Sequence, residues 1–284
     1  MNRQGKKVLT CVITRIDADG NASVMLNRPE VHNAFDPLMT RQLTAALETL
    51  DADPRVRAVV VLGAGPSFCA GADIKHMKAS AKFSREQNYQ AAQESARMFR
   101  TLYSLSKPTI ACIHGAVRGG GVGLVAACDI AIAARTATFR LSEVKIGVIP
   151  SMISPYVIAA MGARQARRYF VTGEQFDAGE AWRIGLVHDI VEAEELSGVT
   201  GGMLSQLYSS GPRAMAAAKK LIDLNAHDAI DQRLLDETAR RIADIRATPE
   251  GQEGLSAFLE KRKPNWAVPK KQFAAKIPKK RKPR

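Results

Sequence analysis

The feature that most constrains the fold is a turn of three successive glycines, residues 119–121, between two short apolar runs. The first run covers 109–113, and an Ala-rich segment separates the glycines from the second run at 129–133. A strand, a glycine turn, a helix and a second strand make up a βαβ unit, which favours an α/β fold. Glycines at such a turn let backbone N–H groups approach a ligand, because no Cβ intervenes.

The rest of the chain is predicted to divide into an α/β part and a helical part. The α/β part is predicted to contain a hairpin at 9–26, a helix at 37–52 with its N-cap at Asp36, a buried strand at 56–62 and a second helix at 82–106. After Pro150 only helices are expected, punctuated by glycines. They are predicted at 153–161, 164–171, 178–184, 195–208, 212–225, 230–246 and 250–262.

The composition is that of a globular protein with an aliphatic core, since 46% of the residues are hydrophobic, 24% charged and 6% aromatic. No apolar run reaches the roughly 18 residues that span a bilayer, and the N-terminus lacks the apolar segment of a secretory signal. The cysteines and histidines have no metal-ligand spacing, which favours buried free thiols over a disulfide or zinc set. We therefore expect a cytoplasmic protein without a metal site.

The basic charge is concentrated at the C-terminus. The net charge is +13, and residues 269–284 hold eight Lys or Arg and no acid, which leaves about +5 for the other residues. We therefore predict a core at 8–195, a helical C-terminal region at 196–266 and a basic, disordered tail at 267–284. No membrane association is predicted, and non-specific binding of nucleic acid through the tail stays an open alternative.

Six short motifs occur together along the chain. They are Asn27-Arg-Pro with Asn33-Ala34, Phe68-Cys-Ala-Gly-Ala-Asp-Ile, Gly115-Ala-Val-Arg-Gly-Gly-Gly, Cys128-Asp-Ile, Phe139…Glu143…Gly147…Pro150, and Ala257-Phe-Leu-Glu-Lys-Arg. In this order and spacing they resemble the crotonase (enoyl-CoA hydratase/isomerase) superfamily, over about residues 8–266. The stretch around Glu143 is most similar to methylglutaconyl-CoA and carboxygeranoyl-CoA hydratases, which act in leucine and acyclic terpene breakdown.

The resemblance implies a fold, an assembly and a ligand. The fold would be the crotonase ββα superhelix with a helical C-terminal trimerisation region, assembled as homotrimers or dimers of trimers. The ligand would be an acyl-CoA thioester, with no cofactor besides the coenzyme A of the substrate. The implied catalytic groups are the N–H groups of Ala70 and Gly120, which would bind the thioester oxygen, and the carboxyl of Glu143.

The resemblance also implies a set of substrate-binding residues. These residues are His32, Ala34, Ala70, Gly71, Ala72, Asp73, Ile74, Val117, Gly119, Gly120, Gly123, Pro150, Phe258 and Lys261. Phe258 and Lys261 would reach the CoA from the same or a neighbouring subunit.

The chemistry of a thioester agrees with these residue types. Negative charge develops on the thioester oxygen when an enolate forms, and preorganised donors stabilise that charge strongly. A carboxyl such as that of Glu143 can give or take the proton alpha to the carbonyl. Addition of water to a 2-enoyl-CoA is therefore our first interpretation.

Gly123 departs from the best-studied hydratases, which carry a second glutamate at this position. Glycine cannot activate water, so three interpretations remain open. The first is a hydratase whose water is held by Glu143, by backbone or by a substrate carboxylate, with Gly123 leaving space for a branched or carboxylated acyl group. The second is an enoyl-CoA double-bond isomerase that uses Glu143 alone. The third is a non-catalytic member that binds CoA or nucleic acid, which the basic tail would also fit.

Overall fold

A computed structural model describes residues 10–226 and 229–267 of the chain. The strands of its main sheet are β1 (Val12–Ile16), β2 (Asn21–Leu26), β3 (Ala58–Gly63), β4 (Thr109–Ile113), β6 (Ile130–Ala134) and β9 (Asp189–Val191). They lie in the order β1-β2-β3-β4-β6-β9. β1 and β2 form an antiparallel hairpin, and every other neighbouring pair in this sheet is parallel.

A second, smaller sheet supports the glycine turn. It consists of β5 (Ala116–Arg118), β7 (Thr138–Arg140) and β8 (Gln175–Asp177). β7 pairs in parallel with β5 and antiparallel with β8. Because β5 leads directly into the glycines, this sheet fixes where the turn begins.

The helices cover both faces of the main sheet and form the C-terminal region. They are α1 (Pro37–Ala52), α2 (Ile74–Ser80), α3 (Arg85–Tyr103), α4 (Gly120–Ala127), α5 (Ser154–Thr172), α6 (Ala178–Arg183), α7 (Leu196–Tyr208), α8 (Pro212–Asn225), α9 (Gln232–Ala247) and α10 (Pro249–Leu259). Single 3-10 turns lie at Pro29–Val31 and Glu143–Ile146.

Two apolar clusters lie on opposite faces of the main sheet. Alternate side chains of a strand point to opposite faces, so Val59 and Val61 of β3 pack with α1 and α3, whereas Val60 packs with Leu196 and Leu204 of α7. Both faces of β3 are covered, which explains why its sequence is apolar throughout.

The α/β architecture and the N-cap of α1 are confirmed, since the Asp36 side chain accepts the N–H of Met39 at 2.8 Å. The expectation that only helices follow Pro150 is wrong, because β8 and β9 each add a short strand to a sheet. A three-residue strand is too short to produce a readable alternation. The two helices predicted at 153–161 and 164–171 form α5, which is interrupted where Gly162 adopts φ 76° and ψ 154°.

The C-terminal helices are tied to the core by polar contacts. Lys219 Nζ of α8 lies 2.7 Å from Asp129 Oδ2, and Tyr103 OH donates to Asp223 Oδ1 at 2.7 Å. Arg57 Nη1 donates to the carbonyl of Trp266 at 3.0 Å, which attaches the segment after α10. The predicted disordered tail, apart from residue 267, lies outside the described residues.

None of the helices within 10–226 and 229–267 is both long and apolar enough to cross a bilayer.

Candidate active site

A cavity of about 860 Å³ lies beside the glycine turn. Its walls come from loop 70–72, the N-terminal end of α1, α2, α3, residues 118–120 and the segment 142–153. Three of the six sequence motifs therefore meet around one space, although they are far apart in the chain.

The loop before α2 and the glycine turn are held together by backbone contacts. The N–H of Cys69 donates to the Ala116 carbonyl at 3.2 Å, and the N–H of Arg118 donates to the Cys69 carbonyl at 2.8 Å. Gly71 adopts φ +84°, and a Cβ there would lie 2.9 Å from the Arg118 carbonyl oxygen. Only glycine allows both this backbone conformation and this close approach.

Two backbone N–H groups, those of Ala72 and Gly120, border the cavity without an acceptor in the described part of the chain. The N–H of Phe35 donates to the Gly71 carbonyl at 2.6 Å, and the N–H of Asp73 donates to the Phe35 carbonyl at 2.8 Å. This pairing turns the intervening N–H of Ala72 away from Phe35. Gly120 is the first residue of α4, where N–H groups have no partner within the helix.

The structure corrects the assignment of Ala70 as a donor to the thioester oxygen. Its N–H donates to the carbonyl of His32 at 2.9 Å, which the left-handed conformation of His32 (φ 54°) turns toward the loop. The free donor of this loop is Ala72 instead. The sequence carried no signal for the difference, because alanines flank Gly71 on both sides and only their backbone contacts, with His32 for Ala70 and beside Phe35 for Ala72, distinguish them.

Glu143 places a carboxyl against the glycine turn. It is the first residue of the 3-10 turn after β7, and its Oε1 would lie 3.0 Å from a Cβ at Gly119. Its Oε2 is buried and has no hydrogen-bond partner among the described residues. Burial raises the pKa of this carboxyl above the ordinary value for glutamate. A buried carboxyl with a raised pKa is suited to proton transfer near neutral pH.

The space expected at Gly123 does not exist, so that part of the prediction is wrong. A Cβ at Gly123 would overlap Ile153 Cγ2, and it would lie 2.8 Å from Ile153 Cβ and 3.0 Å from Phe99 Cε1. Ile153 and Phe99 border the cavity, whereas Gly123 lies behind them and does not. Gly123 therefore cannot contact an acyl group directly.

The remaining predicted residues fall into two groups. Gly71, Gly119 and Pro150 border the cavity, as Ala70 also does through atoms other than its N–H. Those that do not border it are His32, Ala34, Asp73, Ile74, Val117, Phe258 and Lys261.

These seven residues have other surroundings in this chain. Val117 is fully buried in β5, Ile74 is 70% exposed, and Phe258 on α10 is 81% exposed. His32 Nδ1 lies 2.9 Å from Ser67 Oγ, and the carbonyl of Ala34 accepts a hydrogen bond from an arginine. Lys261 follows α10 in a left-handed conformation, and neither it nor Phe258 reaches the cavity of its own chain.

Asp73 stabilises the loop from behind. Its Oδ2 accepts a hydrogen bond from Arg28 Nη2 at 2.8 Å, and its Oδ1 accepts the N–H of Lys75 at 2.8 Å, which caps α2. Burial raises the pKa of Asp73, but the hydrogen bonds from Arg28 and from the α2 backbone outweigh it, so its pKa lies below the ordinary value. A carboxylate held in this way positions Ala72 through the backbone without contacting the cavity.

Charged side chains at the cavity are mostly engaged with protein partners. Among the described residues that border it, Arg118 is the sole Lys or Arg. Its guanidinium donates to the Thr138 carbonyl at 2.7 Å and to Gln175 Oε1 at 2.9 Å. Two other bordering carboxylates, Asp36 and Glu94, pair with arginines at 3.2 and 3.7 Å.

Residues 10–226 and 229–267 contain no cluster of three or more His, Cys, Asp or Glu that could hold a metal ion.

Several cavity residues were not anticipated from the sequence. They are Phe35, His76, Met77, Met98, Phe99, Met152 and Ile153, among others. The helical spacing of Met98 and Phe99 indicated the buried face of α3, but it contained no sign that this face also borders a cavity. Apolar side chains at helical spacing predict burial and do not distinguish core from ligand.

Comparisons with known proteins agree with this geometry. The family model described as Enoyl-CoA hydratase/isomerase matches residues 18–269. A putative enoyl-CoA hydratase of Thermus thermophilus is 34% identical over 246 residues, which cover 86% of this chain and 96% of the relative. A crotonyl-CoA hydratase of Syntrophomonas wolfei is 33% identical over 247 residues, covering 86% of this chain and 94% of that protein.

A solved structure shares this fold over most of its length. The crystal structure of an enoyl-CoA hydratase from Shewanella pealeana superposes with a TM-score of 0.88 at 42% identity, covering 91% of this chain and 97% of the other. The motifs, the cavity and these relatives lead to one assignment. The chain is an enzyme of the enoyl-CoA hydratase/isomerase family, within the crotonase superfamily.

Proposed function

We propose that this chain adds water to a 2-enoyl-CoA through an enolate whose oxygen is held by the N–H groups of Ala72 and Gly120. One observation carries the proposal. Glu143 brings a buried carboxyl, with one oxygen lacking a partner among the described residues, to the same cavity as two N–H groups that have no acceptor there. An anion site and a proton-transfer group then act on one substrate.

The chemistry follows from these groups. Hydrogen bonds from the two N–H groups polarise the thioester carbonyl and draw electron density from the double bond. As the oxygen of water bonds to the β-carbon, the carbon–carbon π bond breaks, the enolate charge accumulates on the thioester oxygen, and the carboxylate of Glu143 takes the proton that the water loses. Glu143 then delivers this proton to the α-carbon, which restores the thioester carbonyl, and its raised pKa favours this exchange.

The acyl group in this proposal is branched and uncharged. The sequence resemblance favours branched or carboxylated substrates, and the charges at the cavity favour an uncharged one. Arg118 is engaged with Thr138 and Gln175, so the described cavity residues offer no free Lys or Arg to a second carboxylate. An isolated carboxylate buried without a partner is strongly disfavoured.

An isomerase is the second candidate, because Glu143 is the one carboxyl among the described cavity residues that has no arginine partner. Moving a double bond requires a single group that takes a proton from one carbon and returns it to another. Incubation with 2-enoyl-CoA and 3-enoyl-CoA thioesters, straight and branched, separates the two activities. Formation of a 3-hydroxyacyl-CoA is expected, and interconversion of the two enoyl isomers without any hydroxyacyl product would contradict hydration.

We also propose that a second copy of the chain completes the site. Apolar side chains on α9 and α10 are exposed, with Leu259 77% and Phe258 81% accessible, and Lys261 follows on the same segment. A neighbouring chain that covers this face would bring Phe258 and Lys261 to a CoA that they cannot reach within their own chain. Light scattering of the full chain is expected to give a trimer or hexamer, and Phe258→Asp to give smaller species; a monomeric wild type would contradict the proposal.

A further inference from the structure

The inner wall of the cavity is closed by the branched side chain of Ile153. This residue is 3% exposed and lies just before the first turn of α5. It borders the cavity on one side. On the other side its Cγ2 occupies the space that a Cβ at Gly123 would need.

The packing around this wall is tight and aromatic. Phe99 is 2% exposed, and its ring lies 6.3 Å from that of Phe35 and 6.2 Å from that of Tyr156. A side chain in such surroundings has few alternative rotamers, because neighbours occupy the space into which it would turn. Ile153 is therefore held in place on the side that faces away from the cavity.

We propose that Ile153, backed by Gly123, sets the length of the acyl group that the cavity accepts. This inference rests on the proposed function, because it requires the acyl group to occupy the part of the cavity beside Ile153. Replacing isoleucine by alanine removes three carbon atoms and opens the wall toward the glycine behind it. Two further methylenes of a substrate then find apolar contact. Each buried methylene contributes about 0.8 kcal/mol, which is about fourfold in affinity.

The test compares Ile153→Ala with the wild type on saturated acyl-CoAs of four to ten carbons, with affinity measured by calorimetry. Saturated thioesters bind without reacting, so the outcome does not depend on whether the enzyme hydrates or isomerises. The ratio of the affinity for the eight-carbon acyl-CoA to that for the four-carbon acyl-CoA is expected to rise by about tenfold or more in the variant. A preference that stays within twofold of the wild type overturns the inference.

Val157→Ala is the matched control. Val157 is fully buried one turn further along α5 and does not border the cavity, so its truncation loosens the same helix without lengthening the site. Its length preference should equal that of the wild type, and an equal shift in both variants would overturn the inference. If Ile153→Ala does not fold, Ile153→Val replaces it in the test. This variant lacks one methyl group, so the preference for eight carbons over four should shift by about fourfold or less in the same direction.

A second pair of variants tests the contact with Gly123. In Gly123→Ala the new methyl group overlaps Ile153 and displaces it toward the cavity, so the preference should move to shorter chains. In the double variant with Ile153→Ala this effect should be smaller, because the overlap with Cγ2 is removed while the Cβ of residue 153 stays 2.8 Å away. An identical effect of Gly123→Ala with and without Ile153 would contradict the coupling. Hydration assays of the wild type fail or succeed independently of these binding ratios, so the two proposals are refuted by different results.

Discussion

Glu143→Gln separates the catalytic role of this carboxyl from any structural role. Glutamine keeps the shape of the side chain but cannot ionise or transfer a proton. A positioned acid or base contributes about 10²–10⁴-fold to a rate, which at about 1.36 kcal/mol for each factor of ten corresponds to about 2.7–5.4 kcal/mol of the barrier. We therefore expect kcat to fall by that factor, while KM changes little because the two N–H donors remain.

The same substitution should not weaken the fold. Glu143 has an oxygen without a partner in the described structure, and burial raises its pKa, so the folded protein binds this proton more tightly than the unfolded chain. Ionisation then lowers stability as the pH rises from the ordinary value of 4.5 through the raised value in the folded protein. Removing the charge should add about 1 kcal/mol at neutral pH, since an unsatisfied buried polar group costs about 1–3 kcal/mol and the amide relieves only part of that.

The assay follows the loss of ultraviolet absorbance of the enoyl thioester, together with thermal melts at several pH values. A gain of about 1 kcal/mol raises Tm by about 2–4 °C in a chain of this size, and the gain should vanish at acid pH, where the wild-type carboxyl is also neutral. Glu192→Gln is the control, because Glu192 forms an exposed ion pair with Arg135 at 2.6 Å. A loss of less than about tenfold in kcat, or a fall in Tm at neutral pH, would refute the reasoning.

Three further substitutions test the loop before α2. Gly71→Ala forces a Cβ to 2.9 Å from the Arg118 carbonyl at φ +84° and should destabilise the protein by about 1–3 kcal/mol in urea titrations; an unchanged midpoint would contradict this. An ester in place of the Ala72 amide N–H should lower kcat by about 10²–10³, and a larger loss from the same change at Ala70 would restore the earlier assignment. Asp73→Asn should destabilise at neutral pH, with the difference lost as the pH falls below about 3.8 through the lowered pKa of Asp73; a difference that persists at low pH would argue against the ion pair.

The parts of the fold that the sequence predicted are those with long or chemically distinct local patterns. The helix after Asp36 was predictable because an N-cap, a proline and an apolar stripe coincide. The strands β8 and β9 were not, because each contains three residues and is defined by its partner in the sheet. Non-local pairing leaves no periodic trace in so short a segment.

The candidate site shows the same division. Glu143 was predictable because it is a lone acid among apolar neighbours in a recognisable motif. The choice between Ala70 and Ala72 was not, since it depends on which N–H the carbonyl of His32 accepts. Gly123 was predicted as open space, and the structure fills that space with Ile153, a residue 30 positions later in the sequence. Glycine in a sequence shows that a Cβ is absent, but it does not show what occupies the vacated volume.

The two donors at the cavity, Ala72 and Gly120, are main-chain groups, whereas the acid is a side chain. Most substitutions at positions 72 and 120 change the side chain and keep the backbone N–H. At position 143, by contrast, a single substitution can remove the carboxyl. If Ala72, Gly120 and Glu143 act as proposed, selection can exchange the proton-transfer group while the ability to stabilise a thioester enolate is inherited with the backbone. In a lineage with this fold, new reactions on acyl thioesters can arise by single substitutions, each starting from a protein that already binds the charged intermediate.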